Sequence, residues 1–82
     1  MTIRIMTTSE RYIFTQKDGK WFFLKGFSSG LITKIHGPIE VGRPLKFNAI
    51  EEGQHGELRD DEMYFKSSEI QNISISGLLP LQ

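Results

Sequence analysis

Residues 11–25 constrain the fold of this chain more than any other segment. Two runs of β-branched and aromatic residues, 12–15 (YIFT) and 21–24 (WFFL), flank the sequence KDGK at residues 17–20. Such residues favour extended strands, and a central Asp-Gly pair is typical of a hairpin turn. The segment therefore predicts a β-hairpin.

The charges beside the turn bear on the register of this hairpin. A two-residue turn would place Lys17 directly opposite Lys20, and like charges in that position are mildly destabilising. The sequence therefore favours a three-residue turn, with Gly19 in a left-handed bulge position and Gln16 opposite Lys20. In that register the side chains divide between two faces. One face carries Tyr12, Phe14, Phe22 and Leu24, and the other carries Arg11, Ile13, Thr15, Trp21, Phe23 and Lys25.

The rest of the chain also predicts strands, at residues 3–5, 31–35, 45–49, 63–66 and 70–76. No stretch shows sustained helical periodicity. Residues 26–30 and 51–61 read as loops, the second one solvated and acidic, and residues 67–69 as a single tight turn. A strand, one tight turn and a strand is the local order at the close of SH3-like barrels, an architectural analogy. We therefore expect an all-β fold of roughly five to seven short strands, a small antiparallel barrel or rolled sheet. An SH3-like barrel is favoured, with at most one short 3-10 turn near Ser67 to Glu69.

Length and composition limit the class of protein. A chain of 82 residues feeds one hydrophobic core, so we expect a single β domain over residues 1–76 and a C-terminal arm over residues 77–82. The absence of cysteine excludes disulfides, thiolate zinc sites and cysteine nucleophiles, and it favours a reducing, cytoplasmic setting. The start of the chain lacks the apolar stretch of a signal peptide, and the run at residues 21–24 is too short for a membrane span. We expect a cytoplasmic protein with no membrane partner.

The net charge is zero, but it is the sum of two opposite halves. Residues 1–46 hold eight Lys and Arg against three carboxylates, whereas residues 47–82 hold two against seven. Charge steers encounters between molecules and does not specify a fold. The asymmetry is typical of a protein that meets a charged partner or its own copy.

The sequence offers little for catalysis or for metal binding. The two histidines, His36 and His55, are not accompanied by a nucleophile-elbow glycine pattern around any serine. The acidic residues 51–62 lack the alternating spacing of a calcium loop, and a transition-metal site would normally use more than one histidine. Residues 26–30 lack the lysine and following helix of a phosphate loop. We expect no enzymatic activity, no metal and no cofactor.

Two binding functions remain as hypotheses. In the predicted register Trp21 and Phe23 lie opposite the other aromatic face, so one face must be covered by the C-terminal arm, by a second copy or by another protein. The first hypothesis is a small non-enzymatic module that binds protein and self-associates as a homo-oligomer. Its contact residues would be Trp21, Phe23, Arg11, Lys25 and Ile13. The alternative is a nucleic-acid-binding barrel that uses the Lys, Arg and aromatic side chains of residues 1–46. The pI near 6.7 argues against this alternative.

Overall fold

Six antiparallel strands form a closed barrel in the computed structural model, which describes residues 1–77. The strands are β1 (Thr2–Thr7), β2 (Arg11–Lys17), β3 (Lys20–Lys25), β4 (Ser28–Ile35), β5 (Pro44–Glu52) and β6 (Leu58–Ser76). Each strand pairs with the next, and β6 pairs back with β1 to close the ring. The predicted all-β barrel is confirmed. The division into a domain and a C-terminal arm stays a prediction, because residues 78–82 of the arm lie outside the described residues.

The β2–β3 hairpin has a two-residue turn, so the predicted three-residue turn is wrong. Asp18 and Gly19 both have positive φ, at 54° and 78°, as a type I′ turn requires. Lys17 therefore lies opposite Lys20, and Phe14 lies opposite Phe23. Two exposed lysines repel each other by only a few tenths of a kcal/mol, which is small beside the burial energies of the large apolar side chains that the register assigns to the core. In the observed register Phe23 joins Phe14 in the core and Trp21 packs against it, whereas the predicted register places Phe22 and Leu24 there.

Aromatic rings fill the interior of the barrel around Phe47, which is completely buried. Four ring centroids surround it, those of Phe65 at 4.9 Å, Phe14 at 5.2 Å, Phe23 at 5.4 Å and Tyr12 at 5.9 Å. Aliphatic side chains complete the core, namely Ile5, Leu45, Ala49 and Ile70. The edge-on and stacked ring pairs add to the burial energy and fix the spacing of the facing strands.

The long strand β6 pairs first with β5 and then with β1, and a bulge lies where it changes partner. Pro44 pairs with Glu69 and Lys46 pairs with Lys66, so Ser67 and Ser68 together oppose Leu45. The Ser67 hydroxyl accepts a hydrogen bond from the Leu45 N–H at 2.8 Å and donates to the Ser68 carbonyl at 2.6 Å. A second register shift occurs where β6 pairs with the end of β1. Bulges bend a strand, and this bend lets one strand serve both neighbours. The turn predicted at residues 67–69 is therefore wrong, since these residues continue the strand.

Much of the acidic segment is also strand, so the loop predicted over residues 51–61 is wrong in extent. Glu51 and Glu52 end β5, and β6 begins at Leu58. Only residues 53–57 form the turn, which is closed by a hydrogen bond from the Gly53 N–H to the Glu57 carbonyl at 2.6 Å. The carboxylates are thus displayed on an ordered β5–β6 hairpin. We call residues 51–62 the acidic hairpin.

Strand β4 begins earlier than predicted and lies close to β5. The loop predicted over residues 26–30 is shorter than expected, because β4 begins at Ser28 and leaves only Gly26 and Phe27 as the turn. Gly30 lies so close to β5 that a Cβ atom there would be 2.8 Å from the Glu51 Cα and 2.9 Å from the Ile50 carbonyl carbon. Real Cβ atoms do not approach backbone so closely. Gly30 therefore allows β4 and β5 to pair at this point.

Candidate binding surfaces on the outside of the barrel

The five residues predicted to bind a partner do not share one face. Phe23 is only 2% exposed and lies in the core, and Trp21 is half-buried and packs against that core. Arg11 is exposed and Ile13 is half-buried, and both lie on the outer face of β2. Shifting the register by one residue moves every β3 side chain to the opposite face. The surface predicted around Trp21 and Phe23 is therefore wrong as a single face, and Phe23 is not accessible in the folded barrel.

Lys25 is held by neighbours within the barrel. Its Nζ atom lies 3.0 Å from Glu10 Oε2 and 5.8 Å from the centre of the Tyr12 ring. Tyr12 donates a hydrogen bond to Glu10 Oε1 at 3.2 Å, and Glu10 is positioned by its own N–H, which donates to Thr7 Oγ1 at 2.9 Å. Burial, together with the charge of Glu10 and this hydrogen bond, raises the pKa of Tyr12 to about 12. The ammonium of Lys25 is therefore part of an internal charge cluster.

An apolar groove lies on the outer face of β2 and β3. Ile13 lies opposite Leu24, and Thr15 lies opposite Phe22. These four residues line an open groove of about 530 Å³, and a second groove of about 560 Å³ shares Ile13 and Leu24 with it. Leu24 is 44% exposed. We call this continuous surface the outer groove.

Charged residues surround the outer groove unevenly. Lys17, Asp18 and Lys20 lie at one end of the groove, and Arg11 lines its second part. Two ion pairs form among residues 1–77, Lys25 with Glu10 and Arg43 with Glu40. The cations at the groove are therefore free of ion pairs within the described barrel. Glu52, at the base of the acidic hairpin, also lines the groove, and its Oε1 atom accepts a hydrogen bond from Ser29 Oγ at 3.0 Å.

A second surface, rich in lysine, lies on the outer face of β4, β5 and β6. Lys46 lies directly opposite Lys66, and Asn48 lies between Lys34 and Tyr64. His36 lies beside them, because its backbone N–H donates to the Lys46 carbonyl at 2.9 Å and its imidazole ring is hydrogen-bonded to the Asn48 side chain. We call this set the lysine surface: Lys34, His36, Lys46, Asn48, Tyr64 and Lys66.

An exposed aromatic ring lies within the lysine surface. Tyr64 is 55% exposed, and its ring meets that of His36 edge-on at 5.6 Å with an interplanar angle of 70°. Tyr64 and Lys66 are not among the residues predicted from the sequence to bind a partner, because both lie in the acidic half of the chain. The alternation of Lys46 and Asn48 along β5 is a signal that could have found this surface, once β6 was paired beside it.

The aromatic residues expected to stack bases lie mainly elsewhere. Tyr12, Phe14 and Phe23 are buried in the core, and Trp21 is half-buried. Phe27, at the β3–β4 turn, is fully exposed. The nucleic-acid surface predicted from the aromatic residues of residues 1–46 therefore loses three of its rings to the core.

Residues 1–77 contain neither a cluster of metal-ligating side chains nor a membrane-spanning helix. Across this range no three His, Asp or Glu side chains are grouped so as to hold a metal ion. Nor does the described part of the chain contain a helix of the length and apolarity that a membrane span requires.

The fold and the surfaces together define a small closed β-barrel with candidate binding sites on its outside. Comparison of the chain with models of protein families, with curated proteins and with solved structures finds no match.

Proposed function

We propose that this protein is a non-enzymatic binding module of a reducing, cytoplasmic compartment that associates with a second copy of itself through the outer groove. One observation carries the proposal. The groove has an apolar floor of Ile13, Phe22 and Leu24, and it is flanked by cations without ion pairs in the described barrel. Covering such a floor removes apolar surface from water, which is the main driving force of association.

The partner would contact this groove through side chains. Both β2 and β3 are hydrogen-bonded to a neighbouring strand on each side, so neither offers a free edge for a further strand. An apolar floor with a charged rim is the usual anatomy of a side-chain interface. Leu24 and Phe22 are the anchors that we expect a partner to cover.

Charge complementarity favours a second copy as the occupant. The acidic hairpin carries six carboxylates against Arg59 alone, and its carboxylates take part in neither ion pair of residues 1–77. Lys17 and Lys20 at the groove offer the opposite charge. Because Glu52 belongs to the hairpin and also lines the groove, the two surfaces are neighbours. Two copies related by a two-fold axis can therefore place each hairpin against the groove of the other.

Charge reversal tests this pairing directly, with mass measured by light scattering after size exclusion. The double variant Lys17→Glu, Lys20→Glu and the double variant Asp60→Lys, Asp61→Lys should each be monomeric where the unmodified protein is dimeric. Mixing the two variants should restore the dimer, because each reversed surface then meets its reversed partner. High salt should weaken the unmodified dimer, since exposed charges are screened.

A second pair of variants tests the apolar floor. Leu24→Ser should abolish association with little change in melting temperature, because Leu24 is 44% exposed in the monomer. Val41→Ser is the matched control: Val41 is 61% exposed and lies outside the groove, so its variant should dimerise normally. A protein that stays monomeric at every concentration, or a Leu24→Ser dimer as tight as the original, would refute the proposal.

A further inference from the structure

We propose that the lysine surface binds single-stranded nucleic acid. This surface is formed by β4, β5 and β6, whereas the floor of the outer groove is formed by β2 and β3. The proposal therefore does not depend on self-association. It also differs from the nucleic-acid hypothesis drawn from the sequence, because Tyr64 and Lys66 come from the acidic half of the chain.

The cations of the surface are placed side by side on adjacent strands. Lys46 and Lys66 face each other across adjacent strands, and residues in such a pair are roughly 5 Å apart at Cβ. Lys34 lies on the row that contains Asn48 and Tyr64. No carboxylate occupies these rows, and none of the three lysines takes part in an ion pair within residues 1–77. Grouping like charges is unfavourable by itself, and bound phosphates would relieve the repulsion.

The exposed ring supplies the second requirement, a platform for a base. Tyr64 is 55% exposed although it lies in the middle of a strand pair. The His36 ring meets it edge-on and is itself fixed by the hydrogen bond to Asn48. The Tyr64 ring is therefore supported and still open to solvent. Stacking on such a ring needs no particular base, because every base has a π face.

These two features together favour a single strand over other polyanions. A duplex keeps its base faces stacked inside, so it could use the lysines but not Tyr64. An acidic peptide or polyphosphate likewise offers charge without a flat base. The ligand class that uses both features is a phosphodiester chain with unpaired bases.

Fluorescence anisotropy of a labelled oligothymidylate of about ten nucleotides tests the proposal, since small barrels engage roughly 4 to 16 nucleotides. Three phosphate contacts should give a slope of log K against log salt near about −2, at about 0.7 per contact. The double variant Lys34→Gln, Lys66→Gln changes two exposed side chains and removes two of the three contacts. In this variant the slope should fall by about 1.4 in magnitude. Tyr64→Ala should weaken binding by about 5- to 150-fold.

The matched control is Lys17→Gln, Lys20→Gln, which removes another pair of lysines that face each other across a hairpin. This control should bind the oligonucleotide normally and should weaken self-association, whereas the lysine-surface variants should do the reverse. The two proposals can therefore fail separately. No binding at low salt, an unaffected Tyr64→Ala variant, or equal competition by duplex DNA or polyphosphate would overturn the nucleic-acid site. Melting curves for each variant confirm that the barrel remains folded.

Discussion

Replacing Phe47 by leucine tests whether the aromatic cluster holds the barrel together. Phe47 is fully buried and has four ring neighbours at 4.9 to 5.9 Å. At the low end of about 0.5 kcal/mol per aromatic pair, the lost ring contacts amount to about 2 kcal/mol. The smaller side chain adds about 1 kcal/mol for the cavity that it leaves. We therefore expect Phe47→Leu to lower the free energy of unfolding by about 3 kcal/mol.

This loss is a large fraction of the stability of so small a domain, which is typically about 4 to 12 kcal/mol. It corresponds to a fall in melting temperature of about 12 to 24 °C, measured by circular dichroism. Phe27→Leu is the matched control, since Phe27 is fully exposed and should change the melting temperature by less than about 3 °C. Equal shifts for the two variants would refute the assignment of Phe47 as the centre of the core.

Three further predictions concern the strand pairing and the internal charge cluster. Gly30→Ala should destabilise the barrel by about 2 kcal/mol or more, because its Cβ would overlap the β5 backbone, whereas Gly77→Ala, with no atom within 4 Å of the added Cβ, should leave the melting temperature unchanged. Ser67→Ala should lower the free energy of unfolding in urea by about 1 to 2 kcal/mol, because the buried Leu45 N–H loses the hydroxyl to which it donates. An unchanged free energy of unfolding would show that this hydroxyl is dispensable. The pKa of Tyr12 is raised from 10.0 to about 12 in the folded barrel, so between about pH 10 and 12 this tyrosine ionises only in the unfolded state. Its contribution to the free energy of unfolding is therefore fully present below pH 10 and is lost as pH rises from about 10 to 12. Solvent screens the partly exposed Glu10, so we expect the free energy of unfolding to fall by only about 1 to 2 kcal/mol over this pH range. The Tyr12→Phe variant should abolish this pH dependence, and the control Tyr64→Phe should retain it.

The sequence predicts the strand content well because strand preferences are local. Each of the six strands contains a predicted run, although residues 63–66 and 70–76 were expected to be two strands and belong to the single strand β6. The register of the hairpin was not predictable in the same way. It depends on whether Trp21 and Phe23 or Phe22 and Leu24 pack better against the core, and that packing depends on the rest of the barrel.

Residues 67–69 show a similar limit. Ser67 and its neighbours have the composition of a turn, and their hydroxyl groups do satisfy backbone groups as they would in one. Here, however, the strand on each side is paired, so the same chemistry forms a bulge inside a continuous strand. Tertiary pairing, which the local sequence does not contain, decides between the two outcomes.

The candidate sites depend on pairing to an even greater degree. Arg11 and Ile13 lie on the outer face, but Lys25 is drawn to Glu10 and Phe23 to the core. Lys46 and Lys66 become neighbours only because β5 and β6 pair in this register. A list of charged residues therefore cannot reveal the lysine surface without the topology.

The pairing of β6 with β1 also bears on how the chain folds. Thr2 pairs with Ser76, so closing the ring brings together residues near the two ends of the described chain. Contacts between residues so distant in sequence form slowly, because the intervening chain must first be ordered. During synthesis the neighbouring hairpins can form early, but β1 keeps an unpaired edge until the end of β6 emerges. In that interval the open edge can pair with another chain, so the nascent barrel is exposed to aggregation until it closes.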